Sequence, residues 1–405
     1  MIHNSRFSTT FRKWGGGVAL LFAYTHLSHD LCGGLLTALL PLIKEGLGLT
    51  YLQSGVLLSA YTITSGLSQV PGGWLGDRIR RSIVIAVGLG GIGLSTVAVG
   101  LSPSYYPMIA ILIIMGILAG GYHPSAVSML SDYYEVSRRG KVIAFHMVGG
   151  SIGFSIGPLL GGLIADYMGW RWVFIILAIP AISAVPIIMK KFTRVEKSAG
   201  ITSQQQAKEE QTWTNGRRIG IIQVLRPIAA LFLLSTAMHL VAGAAMSFVP
   251  LYIVGKHGIA PAYAAILVGI LRLGGISGSL FGGWLSDRWG RKQATIFSLV
   301  ATGPVLYILT TLPFNAGFIV ILIVFGMCRY MTQATMQPYL MDNVPAYLRA
   351  TAFGIYFGMS LEAQSLVQPL AGHFMDIYGI ANVFTVIALA SIVLSLVALL
   401  LAKRV

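Results

Sequence analysis

A chain of 405 residues that is 55% hydrophobic and only 10% charged does not close around one aqueous core, because soluble domains carry about 25% charged residues. Its apolar runs are continuous rather than alternating, which excludes a β-barrel and leaves an all-α membrane protein whose spans each take roughly 20 apolar residues. The net charge of +15 does not mark a nucleic-acid partner, since the basic residues cluster between apolar runs and so orient the chain in the lipid bilayer.

In chain order, twelve transmembrane helices are predicted at about 16–43, 53–76, 83–102, 107–131, 141–167, 170–190, 227–254, 262–284, 293–313, 317–341, 350–377 and 380–402. The first run is too long for the core of a signal peptide, so no cleavable leader is expected. Cys32 and Cys328 fall inside apolar runs of different halves and make no metal or redox motif. Between spans six and seven the stretch 191–226 is rich in Gln, Ser, Lys and Glu. It reads as a mobile cytoplasmic linker joining six-helix bundles at 1–190 and 227–405.

With both termini on one side, that face carries Arg6, Arg12, Lys13, Arg78, Arg80, Arg81, Arg138, Arg139 and Lys141. It also carries the basic residues from Lys190 to Arg226, then Arg288, Arg291, Lys292, Arg349, Lys403 and Arg404, in all 23 of the 28. The opposite face has Lys44, Arg171 and Lys256. The positive-inside rule then places both termini in the cytoplasm and the chain in the cell membrane as a multi-pass protein.

The halves repeat with a period of 210 residues: GGWLGDR at 72–78 returns as GGWLSDR at 282–288. In the same register Gly116 returns as Gly326, Asp132 as Asp342, Arg139 as Arg349 and Asp166 as Asp376. An even six-plus-six repeat makes two pseudo-symmetric parallel bundles, and such halves place a binding site between them near the midplane, open alternately to each side.

These residues resemble the major facilitator superfamily over essentially the whole chain. The family's loop signature G-x-x-x-D-[RK]-x-G-[RK]-[RK] is complete as Gly283, Asp287, Arg288, Gly290, Arg291 and Lys292. The first copy has Gly73, Asp77, Arg78 and Arg81, with Arg80 in place of the glycine and Ser82 at the last basic position, so its turn is expected to differ. The resemblance implies that Asp77 latches the halves together on the cytoplasmic side in one state, with Arg349 nearby; the alternative is that these charges set topology alone. Span five carries Gly153, Gly157, Pro158, Gly161 and Gly162, which resembles the antiporter signature of drug–proton exchangers. Close helix packing without bearing on direction is the other reading. The arginine of many exporters is absent from span four, where Leu112 precedes Gly116. Instead that span carries His123 in GGYHPSA, which together with HLSHD in span one resembles the fosmidomycin-resistance branch.

Of the thirteen acidic residues only Asp30 and Glu362 fall inside spans, and of the basic ones only Arg272 and Arg329. With His239, each lies 13–16 residues from a cytoplasmic span end, which is about 20–24 Å at the helical rise and close to mid-membrane. Arg329, Thr332, Gln333, Met336 and Gln337 share one helical face, and so do His26, His29, Asp30, Gly33 and Thr37. Charges in a bilayer core are costly and face polar paths or partners. Asp30 and Glu362 are therefore the candidate proton carriers, and Arg272, Arg329, His29, His239, His123, Gln333 and Gln337 the candidate substrate contacts. A static ion pair between Glu362 and Arg329 or Arg272 is the plain alternative.

The expected function is secondary transport by alternating access: proton-coupled efflux of a small drug-like or anionic compound, acting as a monomer. Proton-coupled uptake of an organic anion is the alternative. A metal-ion transporter or intramembrane metalloenzyme using His26, His29 and Asp30 ranks lower, because no nucleophile and no H-E-x-x-H pattern occurs. A non-transporting receptor ranks lower too, for want of an appended ligand-binding domain. No G-x-x-x-x-G-K-[ST] loop is present to cradle ATP, and no enzyme activity, cofactor or bound metal is expected.

Overall fold

The computed structural model describes residues 16–210, 225–345, 352, 355, 356, 359 and 363–403. Among them there is no strand, as lipid demands of a chain that must satisfy its own backbone. The helices are α1 (Gly16–Leu47), α2 (Tyr51–Arg78), α3 (Arg81–Leu101), α4 (Tyr105–Ala119), α5 (Tyr122–Tyr133), α6 (Val136–Met168), α7 (Trp170–Leu177) and α8 (Ile179–Glu210). A short 3₁₀ turn, Arg226–Ile228, then leads into α9 (Ala229–His257), α10 (Pro261–Trp289), α11 (Arg291–Thr311), α12 (Ala316–Asp342), α13 (Ala363–Tyr378) and α14 (Ile380–Lys403).

Among the described residues, ten helical stretches are long and apolar enough to cross a membrane, with α4 and α5 counting as one stretch and α7 running on into α8. Helix α2, at 28 residues, is long enough, but Gln, Ser, Thr and Gly residues dilute its apolar content. Only 16 residues of α13 are described. The sixth apolar stretch runs to Val195, close to the expected end near 190, but its helix does not stop there: α8 continues to Glu210, through the Gln-, Lys- and Glu-rich stretch that has good helix propensity.

The chain divides into two compact units, one of Met1–Leu35, Ala60–Gly157 and Ile164–Arg217, the other of Leu36–Ser59, Pro158–Leu163 and Arg218–Val405. The repeat is visible inside each. In the first unit Arg81 pairs with Asp132, and in the second Arg291 pairs with Asp342. A Cβ on Gly116 would stand 2.6 Å from the Tyr61 carbonyl oxygen, and one on Gly326 would stand 2.2 Å from that of Leu271. Arg78 lies over the Trp74 ring as Arg288 lies over that of Trp284. Every one of these pairs is related by the 210-residue shift, so the duplication is one of packing as well as of sequence.

The loop signature diverges where the sequence says it should. Gly290 turns at φ 94°, a conformation that favours glycine, whereas Arg80 at the equivalent place has an ordinary φ of −60°. The two loops therefore enter α3 and α11 differently.

Candidate functional site

In the first unit the site is built around Asp30, on α1. A carboxylate oxygen lies 3.2 Å from His26 Nε2, one turn back, and the other lies 2.9 Å from His29 Nδ1. His123, from α5, brings its Nε2 to 3.8 Å. Sequence reasoning missed the fourth imidazole, His146 of α6, whose ring stacks on His26 at 4.2 Å. Tyr122 stacks on His29 at 4.6 Å, and its hydroxyl lies 2.8 Å from Thr25 Oγ1. Thr25 donates to the Phe22 carbonyl, so Tyr122 donates to Thr25.

The hydrogen bonds fix a proton. His26 Nδ1 is 2.9 Å from the His146 carbonyl oxygen, which can only accept, so Nδ1 carries a hydrogen. The Nε2 of a neutral His26 is then a bare acceptor, yet it faces a carboxylate oxygen. That contact is attractive only when a proton sits on one of the two groups. His26, which is buried, and Asp30, which is half-buried, thus form a proton-holding pair against the stacked imidazoles.

Helix α6 makes room for this pair. A Cβ at Gly150 would meet His26 Nε2 at 2.4 Å and an Asp30 oxygen at 2.6 Å. On either side, Gly149 and Gly153 lie against the carbonyls of Ala23 and Leu27, where a Cβ would come within 2.2 and 2.1 Å, and Gly157 lies against that of Leu31 at 3.0 Å. Glycines four apart let α6 lie backbone to backbone on α1. Pro158 sits inside α6 without ending it, Gly161 is buried, and Gly162 faces the Ala262 carbonyl in the second unit. Gly153 and Gly157 of the signature thus lie on the same helix pair as the Asp30 cluster.

In the second unit Arg329 of α12 is buried, and its guanidinium donates to the Gln364 side-chain oxygen at 3.3 Å. Its Nε has no hydrogen-bond partner among the described residues. Gln364 also donates to Ser247 Oγ at 3.2 Å, and Gln368 donates to the same oxygen at 2.9 Å. Arg272 is buried on α10, while Gln333 and Gln337 are half-buried beside Arg329 on α12. His239 is buried with Nδ1 on the Ser235 carbonyl and its ring edge-on to Tyr356. Glu362 and Arg349 lie outside the described residues, as does the side chain of Asp77. Gln364, Gln368 and Ser247 were not read from the sequence as site residues.

The repeat register relates the two clusters: His29 answers to His239, Thr25 to Ser235, His146 to Tyr356 and His123 to Gln333. Among the described residues, the first cluster centres on a carboxylate among imidazoles and the second on an arginine held by an amide. Among the loop residues, Gly73 faces Pro124 at 3.5 Å and Gly283 faces open space, and Arg78, Asp287 and Arg288 are exposed. The donor atoms of His26, Asp30 and His123 lie within 4.8 Å of one another, a spread that a divalent cation could draw in, competing with the proton for the same lone pairs.

Duplicated helical units with long apolar helices and ionisable groups buried along them define a multi-pass membrane protein, and the family and relatives it matches are transporters, not enzymes. The Major Facilitator Superfamily pattern matches residues 22–361, and the chain belongs to that family. It is 26% identical over 303 residues to a gentisate transporter of Corynebacterium glutamicum, covering 74% of this chain and 68% of that one. It is 22% identical over 387 residues to the fosmidomycin resistance protein of Escherichia coli (strain K12), covering 94% and 92%. Among solved structures it is similar to a bacterial homologue of the human lysosomal transporter Spinster in an inward-facing, occupied conformation. There the TM-score is 0.80 and the identity 16%, over 95% of this chain and 96% of the other. That likeness concerns the fold.

Proposed function

We propose that the protein is a proton-coupled secondary transporter of a small organic anion, working by alternating access as a monomer in the cytoplasmic membrane. The observation that carries the coupling is the His26–Asp30 contact of 3.2 Å, which needs a proton to hold it. A bilayer-buried carboxylate that gains and loses that proton supplies the coupling step, and Glu362 is the second carrier. The anion is received by Arg329 and Arg272. Arg329 is held by a neutral amide oxygen, so its charge stays available to a carboxylate or phosphonate, for which charge-assisted bonds are roughly twice as strong. His29, His123, His239, Gln333 and Gln337 line the path.

The leading direction is export in exchange for protons, supported by the Gly153–Gly162 signature and by similarity to the fosmidomycin resistance protein. Inward cotransport is the second reading, supported by similarity to the gentisate transporter. In both, twelve spans with cytoplasmic termini flank the linker, and the loops at Gly73–Arg81 and Gly283–Arg288 latch the cytoplasmic side with Arg349. The test is purified protein in liposomes with a trapped pH reporter, given gentisate or fosmidomycin. Cargo-driven proton movement in wild type that is absent in Asp30→Asn supports coupling, and its sign decides between exchange and cotransport. A cargo that crosses with no proton movement overturns it.

A further inference from the structure

Ser247 on α9 donates its hydroxyl proton to the Gly243 carbonyl at 3.1 Å, one turn back. Its oxygen can therefore only accept from the two amides that reach it, and this fixes which way each glutamine points. Gln364 must give Ser247 its NH₂ group and turn its carbonyl oxygen to Arg329. Gln368 must do likewise and turn its carbonyl oxygen toward Ser59 of α2, whose hydroxyl lies 3.3 Å away. The one Ser59 hydroxyl proton is shared between that oxygen and the Ser365 backbone carbonyl on α13, which is the nearer of the two. Ser59, Ser247, Gln368 and Arg329 are buried and Gln364 is half-buried, so a lost partner is costly to this chain. Gly243 keeps the space: a Cβ there would stand 2.1 Å from the Gln364 oxygen. The result is a chain of hydrogen bonds from Arg329 through Gln364, Ser247 and Gln368 to the helix α2.

We propose that Gln364 is the anion-sensing residue of the Arg329 site, its amide oxygen holding Arg329 and yielding it when an anion arrives. The inference rests on the reading of the cargo as an anion. An amide oxygen is a neutral acceptor, strong enough to hold a buried guanidinium and weak enough to be displaced by a charged oxygen. Once displaced, Gln364 loses the bond that holds its carbonyl end, and its amide is free to swing off Ser247 and leave that oxygen to Gln368 alone. The shared acceptor passes that change to Gln368 and so to Ser59. Arrival of cargo at α12 is thereby felt at α2, where the second unit holds the segment Leu36–Ser59. Gln364 acts through Arg329 and is a positioning residue.

Three variants separate this role from packing. Gln364→Glu places a permanent carboxylate on Arg329 and is expected to weaken binding of gentisate, or of sulfate as the simplest probe, by at least about tenfold. Gln364→Leu removes the competitor and is expected to tighten binding about threefold while slowing turnover, so affinity and rate move in opposite directions. Ser247→Ala should raise hydrogen exchange several-fold in the segment 52–60 of the cargo-free protein, measured on samples that elute as wild type. Weaker binding in Gln364→Leu, or wild-type affinity in Gln364→Glu, overturns the sensing role. Unchanged exchange in Ser247→Ala overturns the relay while leaving the anion reading intact. A wild-type protein that binds neither gentisate nor sulfate overturns the anion reading and the sensing role with it.

Discussion

The Asp376 carboxylate caps the helix that begins at Tyr51: one oxygen accepts from the Tyr51 N–H and the other from the Leu52 N–H, each at 2.8 Å. The first N–H groups of a helix have no partner of their own, and a carboxylate there also meets the positive end of the helix dipole. The backbones close up around the cap. A Cβ on Gly372 would stand 2.3 Å from the Tyr51 carbonyl oxygen and one on Gly55 2.5 Å from that of Gln368. In the repeat, Asp376 corresponds to Asp166 and Tyr51 to Pro261, and proline has no N–H to give.

The two aspartates should therefore differ. Asp376→Ala is expected to cost about 1 kcal/mol of stability, the usual worth of a lost helix cap. Asp166→Ala should cost less than half of that. Thermal unfolding in detergent reads the difference, and equal losses at both positions would count against a cap made on one side of the repeat alone.

The proton-holding pair leads to a sharper expectation. Asp30→Asn keeps the shape but removes the group that His26 and the proton share. It should abolish cargo-driven proton movement while leaving counterflow of labelled cargo measurable. His26→Gln should lower proton coupling too, since the carboxylate then loses its proton-sharing partner. Full coupling in both variants would place the proton elsewhere, and metal-dependent transport lost in His123→Ala would give the cluster to a cation instead.

Much of this was legible in the sequence, and what was not has a physical reason. Ten of the twelve expected spans are found among the described residues, and they and the isolation of Asp30, Arg272 and Arg329 follow from the high cost of burying charge in lipid, while the 210-residue register came from recurring motifs. The missing loop glycine at Arg80 foretold a different backbone. His146, Gly150, Gln364 and Gln368 escaped because their roles depend on how neighbouring helices are rotated against each other, which no single helical stripe encodes. His146 did carry one signal: it lies one turn before Gly149 and Gly150, where α6 comes closest to α1. The helical course of α8 to Glu210 escaped because polar composition alone was taken to mean a linker, although Gln, Lys and Glu are good helix formers.

Gly150 offers a test of site geometry that leaves the chemistry of every polar group untouched. Gly150→Ala puts a methyl group within 2.6 Å of both His26 and Asp30, so the pair must separate or the helices must part. The expected outcome is a folded protein with at least about tenfold weaker coupling, while overpacking costs about 1–3 kcal/mol of stability. Gly140→Ala, on the same helix and with no atom within 4 Å of the new Cβ, is the control and should transport as wild type. Wild-type coupling in Gly150→Ala would show that the close approach of α6 is not needed.

Arg329 is the residue whose replacement should separate charge from geometry. Arg329→Gln removes a buried cation and its bond to Gln364. Truncating one partner of a buried charged pair costs about 2–5 kcal/mol, so anion affinity should fall by about 30-fold or more. Arg329→Lys keeps the charge but not the planar fork that binds a carboxylate at two points. Its affinity should lie between the two, about tenfold below wild type, with a larger loss for planar carboxylates such as gentisate than for sulfate. Binding isotherms with both anions make the comparison. If Arg329→Lys and Arg329→Gln bind both anions as wild type does, the cargo is held elsewhere, and Arg329 with its amides is only a structural tie between α12 and α13.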